Sequence, residues 1–443
     1  MMSALAIDGG TPVRSTKPPI VETDVFEEEE LQALLAVARQ KKLRRAEAAA
    51  EYEKALAEWF GVKHAIAVSS GTTSLHIALA AFGVGPGDEV IVSPYTFIAS
   101  DSCVLEQNAI PIFADVDPEY LTLDPADVER KITKHTKAII PVSITGTPVD
   151  LGPIMELAAR HKLWVLEDAA QSPGAVYKGR KVGAIGHVGS FSTIAGKITS
   201  TGEGGFVITN DDDLYEKMWG YMDFARKKSL GTASKYHWGL PCTNYRITNM
   251  QAAIGLEQVK KLDQLIATRA ENARYLTERL KDAPGIRTPQ DPPWGERVYY
   301  YYAIRLQLEV LGADMLNFAL ALAAEGIYDS GYVSTTRWLI PQHLQPLFVN
   351  KVGYGGTKCP FECPWYEGYV EYGPGLCPAA ERACEEVFWL SSVHPLLAKE
   401  DLDDIAAAVT KVATAFAEKK AAGTPIEYAT AEMRARVNVI SSV

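Results

Sequence analysis

Between residues 20 and 210 the chain alternates segments of helical hydrophobic period with short apolar runs. That alternation predicts βαβ units on a mainly parallel sheet. The runs His64–Ser69, Glu89–Ser93, Ile110–Ala114, Ala138–Val142 and Leu163–Glu167 read as strands. Thr73–Phe82, Phe97–Gln107, Ala126–Thr133 and Leu151–His161 read as the helices between them. Upstream, Asp24 is placed to cap a helix that runs through an acidic first turn, Glu27–Glu30, to Ala38. A second helix, Ala46–Phe60, stops at Gly61, which suits the left-handed position after a helix.

After Gly205 come a strand, Phe206–Thr209, and a long helix, Asn249–Leu280, able to bridge to a second unit. The region beyond Gly285 has a β-rich start, Val298–Leu306, then helices near Ala313–Glu325 and Leu402–Lys419. These patterns divide the chain into a large domain at 1–265, a smaller α+β domain at 266–420, and a tail at 421–443 with no clear period. Tyr354–Pro378 is dense in Gly, Pro, Cys and aromatics, which reads as an ordered loop.

Composition narrows the class. A hydrophobic share of 47% and a charged share of 22% are those of a soluble globular chain. A net charge of −11 without an extended basic run argues against nucleic-acid or anionic-lipid partners. No apolar run approaches the roughly 20 residues of a bilayer span. Met1–Arg14 lacks the flanked apolar core of a signal peptide, so a cytoplasmic chain is expected. Six cysteines suit a reducing compartment. Cys359, Cys363, Cys377 and Cys384 gather late, but their spacing matches no standard zinc template. They read as ordinary thiols, and no metal is expected.

Three segments carry chemistry. The strand ending at Ser69 runs into Ser70-Gly71-Thr72-Thr73-Ser74, where small residues and hydroxyls at a helix start can receive a phosphate. The run Leu166-Glu167-Asp168 places a carboxylate at the end of an apolar strand, where ligands sit in open α/β sheets. Lys197 lies among small residues, after Ser192 and before Gly202-Glu203-Gly204-Gly205, which would let backbone pack closely around a flat cofactor. Taken singly, each has a bland reading as a cap, a capping acid or a surface lysine. Together they meet the needs of pyridoxal 5′-phosphate: a Schiff-base lysine (Lys197), an acid for the ring nitrogen (Asp168), and a phosphate cup (Gly71, Thr72, Ser192).

In the same order stand Pro94-Tyr95-Thr96-Phe97, Glu167-Asp168-Ala169-Ala170-Gln171, Asn244-Tyr245-Arg246, Pro341-Gln342-His343 and His394-Pro395. With these, the chain resembles the DegT/DnrJ/StrS group of sugar and cyclitol aminotransferases, of fold type I, from about residue 5 to about residue 415. The resemblance implies an α/β fold with a large, mainly parallel domain flanked by helices. It also implies that Phe97 stacks on the ring, that Gln171 lies near its phenolic oxygen, and that Asn244 reaches the cofactor phosphate of a second copy. The implied activity is ping-pong transfer of an amino group from glutamate or glutamine to a keto-sugar, nucleotide-linked or free, or to a keto-cyclitol.

The chain departs from the group's pattern at Ser143-Ile144-Thr145-Gly146, at Cys242 and at Thr193-Ile194-Ala195-Gly196. Arg44, Arg45, Arg226, Lys227 and Lys228 are candidate partners for a nucleotide diphosphate, although such charge runs are usually solvated faces. Arg246 reads as structural, and His76 as a packed histidine. Two other readings fit the same residues: elimination on a related sugar or aromatic precursor, and a non-catalytic partner subunit.

Overall fold

Runs of Val, Ile and Ala, short and bounded by turns, build the centre of the computed structural model, which describes residues 4–15, 24–229, 241–327, 340–390, 393–431 and 433–434. Helices α1 (Glu28–Gln40) and α2 (Glu47–Phe60) come first. Then β1 (His64–Val68), β2 (Glu89–Val92), β3 (Ile110–Phe113), β4 (Thr136–Ile140) and β5 (Trp164–Asp168) alternate with α3 (Gly71–Phe82), α4 (Ala99–Glu106), α5 (Pro125–Lys131) and α6 (Leu151–His161). A hairpin, β6 (Val176–Tyr177) and β7 (Arg180–Lys181), leads to β8 (Val188–Ser192), β9 (Gly205–Thr209) and α7 (Asp212–Met222). The main sheet has the order β1-β9-β8-β5-β4-β2-β3. From β3 to β8 its neighbours are parallel, whereas β9 runs antiparallel to both β8 and β1. Parallel strands need helices on both faces, and β2 is accordingly buried throughout, with separate apolar clusters above and below the sheet.

Helix α8 (Asn249–Leu280) starts on a Thr248–Gln251 capping box and crosses the boundary drawn at 265. Beyond it, β10 (Ile286–Arg287), β12 (Tyr302–Leu306) and β13 (Val387–Leu390) form a small antiparallel sheet, while β11 (Gly295–Glu296) pairs with β6. With α9 (Leu308–Leu311), α10 (Met315–Ala324) and the last long helix, Lys399–Ala421, that sheet encloses a third apolar cluster. Phe348, Phe361, Tyr366 and Tyr372 pack instead on the core of the main sheet. The Tyr366 hydroxyl donates to Glu89 at 2.7 Å and that of Tyr372 to the Pro111 carbonyl at 2.8 Å, so the Gly- and Cys-rich loop is ordered.

Several expectations are corrected. Asp24 does not cap α1. Glu27 does so, in a box with Glu30, while Asp24 accepts the Gly196 N–H at 2.8 Å. The helix expected from Phe97 starts at Ala99, which leaves Phe97 in the turn before it. The fourth strand is Thr136–Ile140, two residues earlier than its apolar run suggests, because Pro141 cannot donate to the ladder. Cys359 and Cys363 form a disulfide rather than two thiols, since the turn between them brings their Cα atoms to 4.8 Å; Cys377 and Cys384 are buried thiols. The tail is tied down where it is described: the Tyr428 and Ala429 N–H groups donate to Asn317, and the Tyr428 hydroxyl to Asp8. Among the described residues, no helix is long and apolar enough to cross a membrane.

Candidate active site

Parallel strands end together, and their carboxyl ends gather the expected residues. β5 ends at Asp168, which pairs with Ser190 of β8, two residues before Ser192. Asp168 is 5% exposed; its Oδ1 accepts the Ala170 N–H at 3.1 Å and its Oδ2 the Ser100 hydroxyl at 2.7 Å. Burial raises this carboxyl above its usual range, opposed by those two hydrogen bonds and by the charge of Lys197. Lys197 sits in the loop between β8 and β9, which is closed by backbone bonds from Thr193 to Gly204 and from Ala195 to Gly202. Gly196, at φ +84°, turns the chain just before the lysine, and Asp24 holds that turn through the Gly196 N–H. The lysine Nζ lies 4.5 Å from the centroid of the Tyr300 ring.

The segment expected to receive a phosphate has the form of an anion site at a helix start. Ser70 and Thr73 make a reciprocal capping box at the head of α3, which engages Thr73 but not Thr72. A Cβ on Gly71 would come within 2.6 Å of the Ser192 Cβ, so the approach of α3 to β8 requires glycine. Gly71→Ala is therefore expected to cost about 1–3 kcal/mol of stability through overpacking. Thermal melting checks this, and Gly71→Ala with Ser192→Gly should regain most of the loss in the cofactor-free chain.

Gln171 is buried, and its Oε1 accepts the Thr145 N–H at 2.6 Å, which leaves its NH2 as the donating end. Thr145 adopts φ 55° to make this contact, and its carbonyl accepts the Tyr300 N–H at 3.0 Å. Phe97 is 46% exposed at the head of α4, next to the sheet edge. Asn244 is exposed; it bridges Asp223, and its neighbour Tyr245 accepts the Ser69 N–H, which sets the segment beside the β1–α3 turn. One edge thus carries Gly71, Thr72, Gln171, Ser192, Asp168 and Lys197.

The other candidates are mostly structural. Arg45 pairs with Glu53 and lies over Trp219, as does Lys228, and Arg226 and Arg246 both meet Asp223. Burial lowers His76 to about 4, and its Nδ1 lies 3.0 Å from the Tyr245 hydroxyl, so it is a packed, neutral histidine. Sequence reasoning missed Ser100, Tyr300 and Arg269. The last is buried, and its guanidinium donates to the carbonyls of Tyr299 and Tyr300. No local motif marks these three residues; each is far along the chain from the group it serves.

Comparison with known proteins agrees with this geometry. A sequence model described as the DegT/DnrJ/EryC1/StrS aminotransferase family matches residues 24–362. GDP-perosamine synthase of Caulobacter vibrioides is 44% identical over 257 residues, 58% of this chain and 68% of that protein. L-glutamine:2-deoxy-scyllo-inosose aminotransferase of Streptomyces lividus is 34% identical over 425 residues, 93% of this chain and 98% of its own. The crystal structure of an aminotransferase from Psychrobacter cryohalolentis superposes with a TM-score of 0.75 at 29% identity, over 89% of this chain and 98% of that one.

Proposed function

Because the chain belongs to the DegT/DnrJ/EryC1/StrS aminotransferase family, whose cofactor is pyridoxal 5′-phosphate, we propose that it transfers an amino group from glutamate or glutamine to a ring ketone of a sugar or cyclitol. The observation that carries this reading is the meeting of Lys197 and Asp168 at the carboxyl ends of adjacent strands, close enough for the lysine charge to act on the buried acid. The cup fits the cofactor's phosphate: small residues at a helix start, with glycine where any side chain would collide.

Bound there, the cofactor supplies an electron sink for the pair released when a proton leaves the donor carbon. Asp168 holds a proton at the ring nitrogen. Lys197 Nζ would anchor the cofactor and, when free, would be the base that takes the proton from the donor's amine-bearing carbon. Gly71, Thr72 and Ser192 would hold the phosphate, Phe97 the ring face, and the Gln171 NH2 would be the donor to the phenolic oxygen. Asn244 would serve the phosphate of a second copy, so the working unit would be a homodimer with shared sites. The full-length likeness to a glutamine-dependent cyclitol enzyme supports glutamine as donor, and the likeness to GDP-perosamine synthase supports a nucleotide-linked sugar as acceptor.

A two-stage absorbance experiment tests the reading. Glutamate or glutamine added to the loaded enzyme should bleach the aldehyde-form band, and a keto-sugar or keto-cyclitol should restore it. A loaded enzyme whose band responds to neither donor would refute it.

A further inference from the structure

Behind Asp168 lies a second buried acid. Asp101 follows Ser100 on the first turn of α4 and is 0% exposed, and neither of its carboxyl oxygens has a hydrogen-bond partner among the described residues. Two carboxyls in one dry pocket do not both ionise, so something must decide which one carries the charge. Asp168 has two donors; Asp101 has none.

Ser100 stands between the Asp168 carboxyl and Thr96. Its hydroxyl has one proton and two oxygen neighbours, Asp168 Oδ2 at 2.7 Å and Thr96 Oγ1 at 2.9 Å. When Asp168 carries the charge it can only accept, so Ser100 then donates to it and accepts from the Thr96 hydroxyl in turn. The Thr96 segment is in turn fixed by buried Gln342, whose Nε2 donates to the Thr96 carbonyl and whose N–H donates to the Pro94 carbonyl, both at 2.8 Å. Hydroxyl donors thus run from Thr96 through Ser100 to Asp168, all three residues buried, while Gln342 holds the Thr96 backbone through its carbonyl.

We propose that Ser100 is a positioning residue that assigns the negative charge to Asp168 rather than to Asp101 and aims that carboxylate, with Thr96 orienting its hydroxyl and Gln342 fixing the Thr96 backbone. The aim matters through the reading of Asp168 as partner of the ring nitrogen, on which this inference rests. Burial and the nearby Asp168 hold Asp101 neutral, well above the usual carboxylate range. The other groups facing the pair are Lys197, which favours the charge on Asp168, and the Cys103 thiol and Tyr372 phenol, which burial and the carboxyls keep protonated.

The test uses the full chain, stripped of cofactor and reloaded with pyridoxal 5′-phosphate. At pH 7.5, Ser100→Ala should weaken the cofactor Kd by about 10-fold or more, the effect of losing a hydrogen bond to a charged group. Ser100→Thr should restore it, and Asp101→Asn should leave it within about twofold. In the stripped chain, Ser100→Ala should lose more stability than wild type between pH 4.5 and 8, because it raises Asp168 further; in an Asp168→Asn background that extra slope should vanish. An Asp101→Asn chain that loses cofactor as severely as Asp168→Asn would put the charge on Asp101 and overturn the proposal. So would an unchanged Kd and pH slope in Ser100→Ala. If Asp168→Asn itself leaves the Kd unchanged, the ring-nitrogen reading fails, while the pH slopes of the stripped chain still judge Ser100.

Discussion

Lys197→Ala should lower amino transfer by at least about 10²–10⁴-fold, the contribution of a placed acid–base group, and should also abolish covalent retention of the cofactor. The loop between β8 and β9 explains why no neighbour replaces it. Ile194 and Ala195 are exposed and apolar, and Gly196 has no side chain. Of the loop's hydroxyls, Thr193 and Thr201 pair at 2.7 Å and Ser200 accepts the Gly202 N–H, and none of them, Thr199 included, is an amine that could anchor the cofactor. Tyr300, the ring beneath the amine, is tied by its backbone to Thr145 and Arg269. Borohydride treatment followed by peptide mass spectrometry should find cofactor mass on residue 197 of the wild type and none on the variant. Retention of more than a few per cent of the single-turnover rate by Lys197→Ala would remove the lysine from the chemistry.

The second large effect separates function from stability. Asp168→Asn should cost at least about 10- to 150-fold in rate, from the loss of a hydrogen bond to a charged group. The same substitution should stabilise the cofactor-free chain at neutral pH. Burial raises the Asp168 carboxyl above 3.8, so the unfolded chain gives up its proton first. The folded chain therefore loses stability as pH rises through that interval, and asparagine, which does not ionise, removes the loss. Melting curves of the stripped variant and wild type should draw together below pH 4 and separate toward pH 7, with the variant higher. A variant less stable than wild type at pH 7 would contradict this account of burial as the dominant influence on Asp168.

Both effects concern residues that were legible before any fold was known, and the reason is local. Strand β5 is an apolar run that must be buried, so the acid at its end had to lie at the sheet edge. Lys197 stands among glycines and small residues, which solvated lysines seldom do. Helices α6 and α8 have the bounds their sequence suggests, because each has an unbroken helical period, and α8 in addition opens on a Thr248–Gln251 capping box. The apolar neighbours of Phe97 continue the helical period of α4, yet the backbone turns at Pro94–Ile98 to meet Gln342 and leaves Phe97 off the helix.

What the sequence determined by itself was therefore the alternation of elements, the acid, the lysine and the small residues at the head of α3, each set by forces acting within a few residues. Tertiary structure alone decided the rest. Asp24 reaches Gly196 across 172 positions, Ser100 reaches Asp168 across 68, and Gln342 reaches Thr96 across 246. A hydrogen bond between such distant residues leaves no periodicity and no spacing to read, because its partners become neighbours only when the sheet and its covering helices exclude water around them.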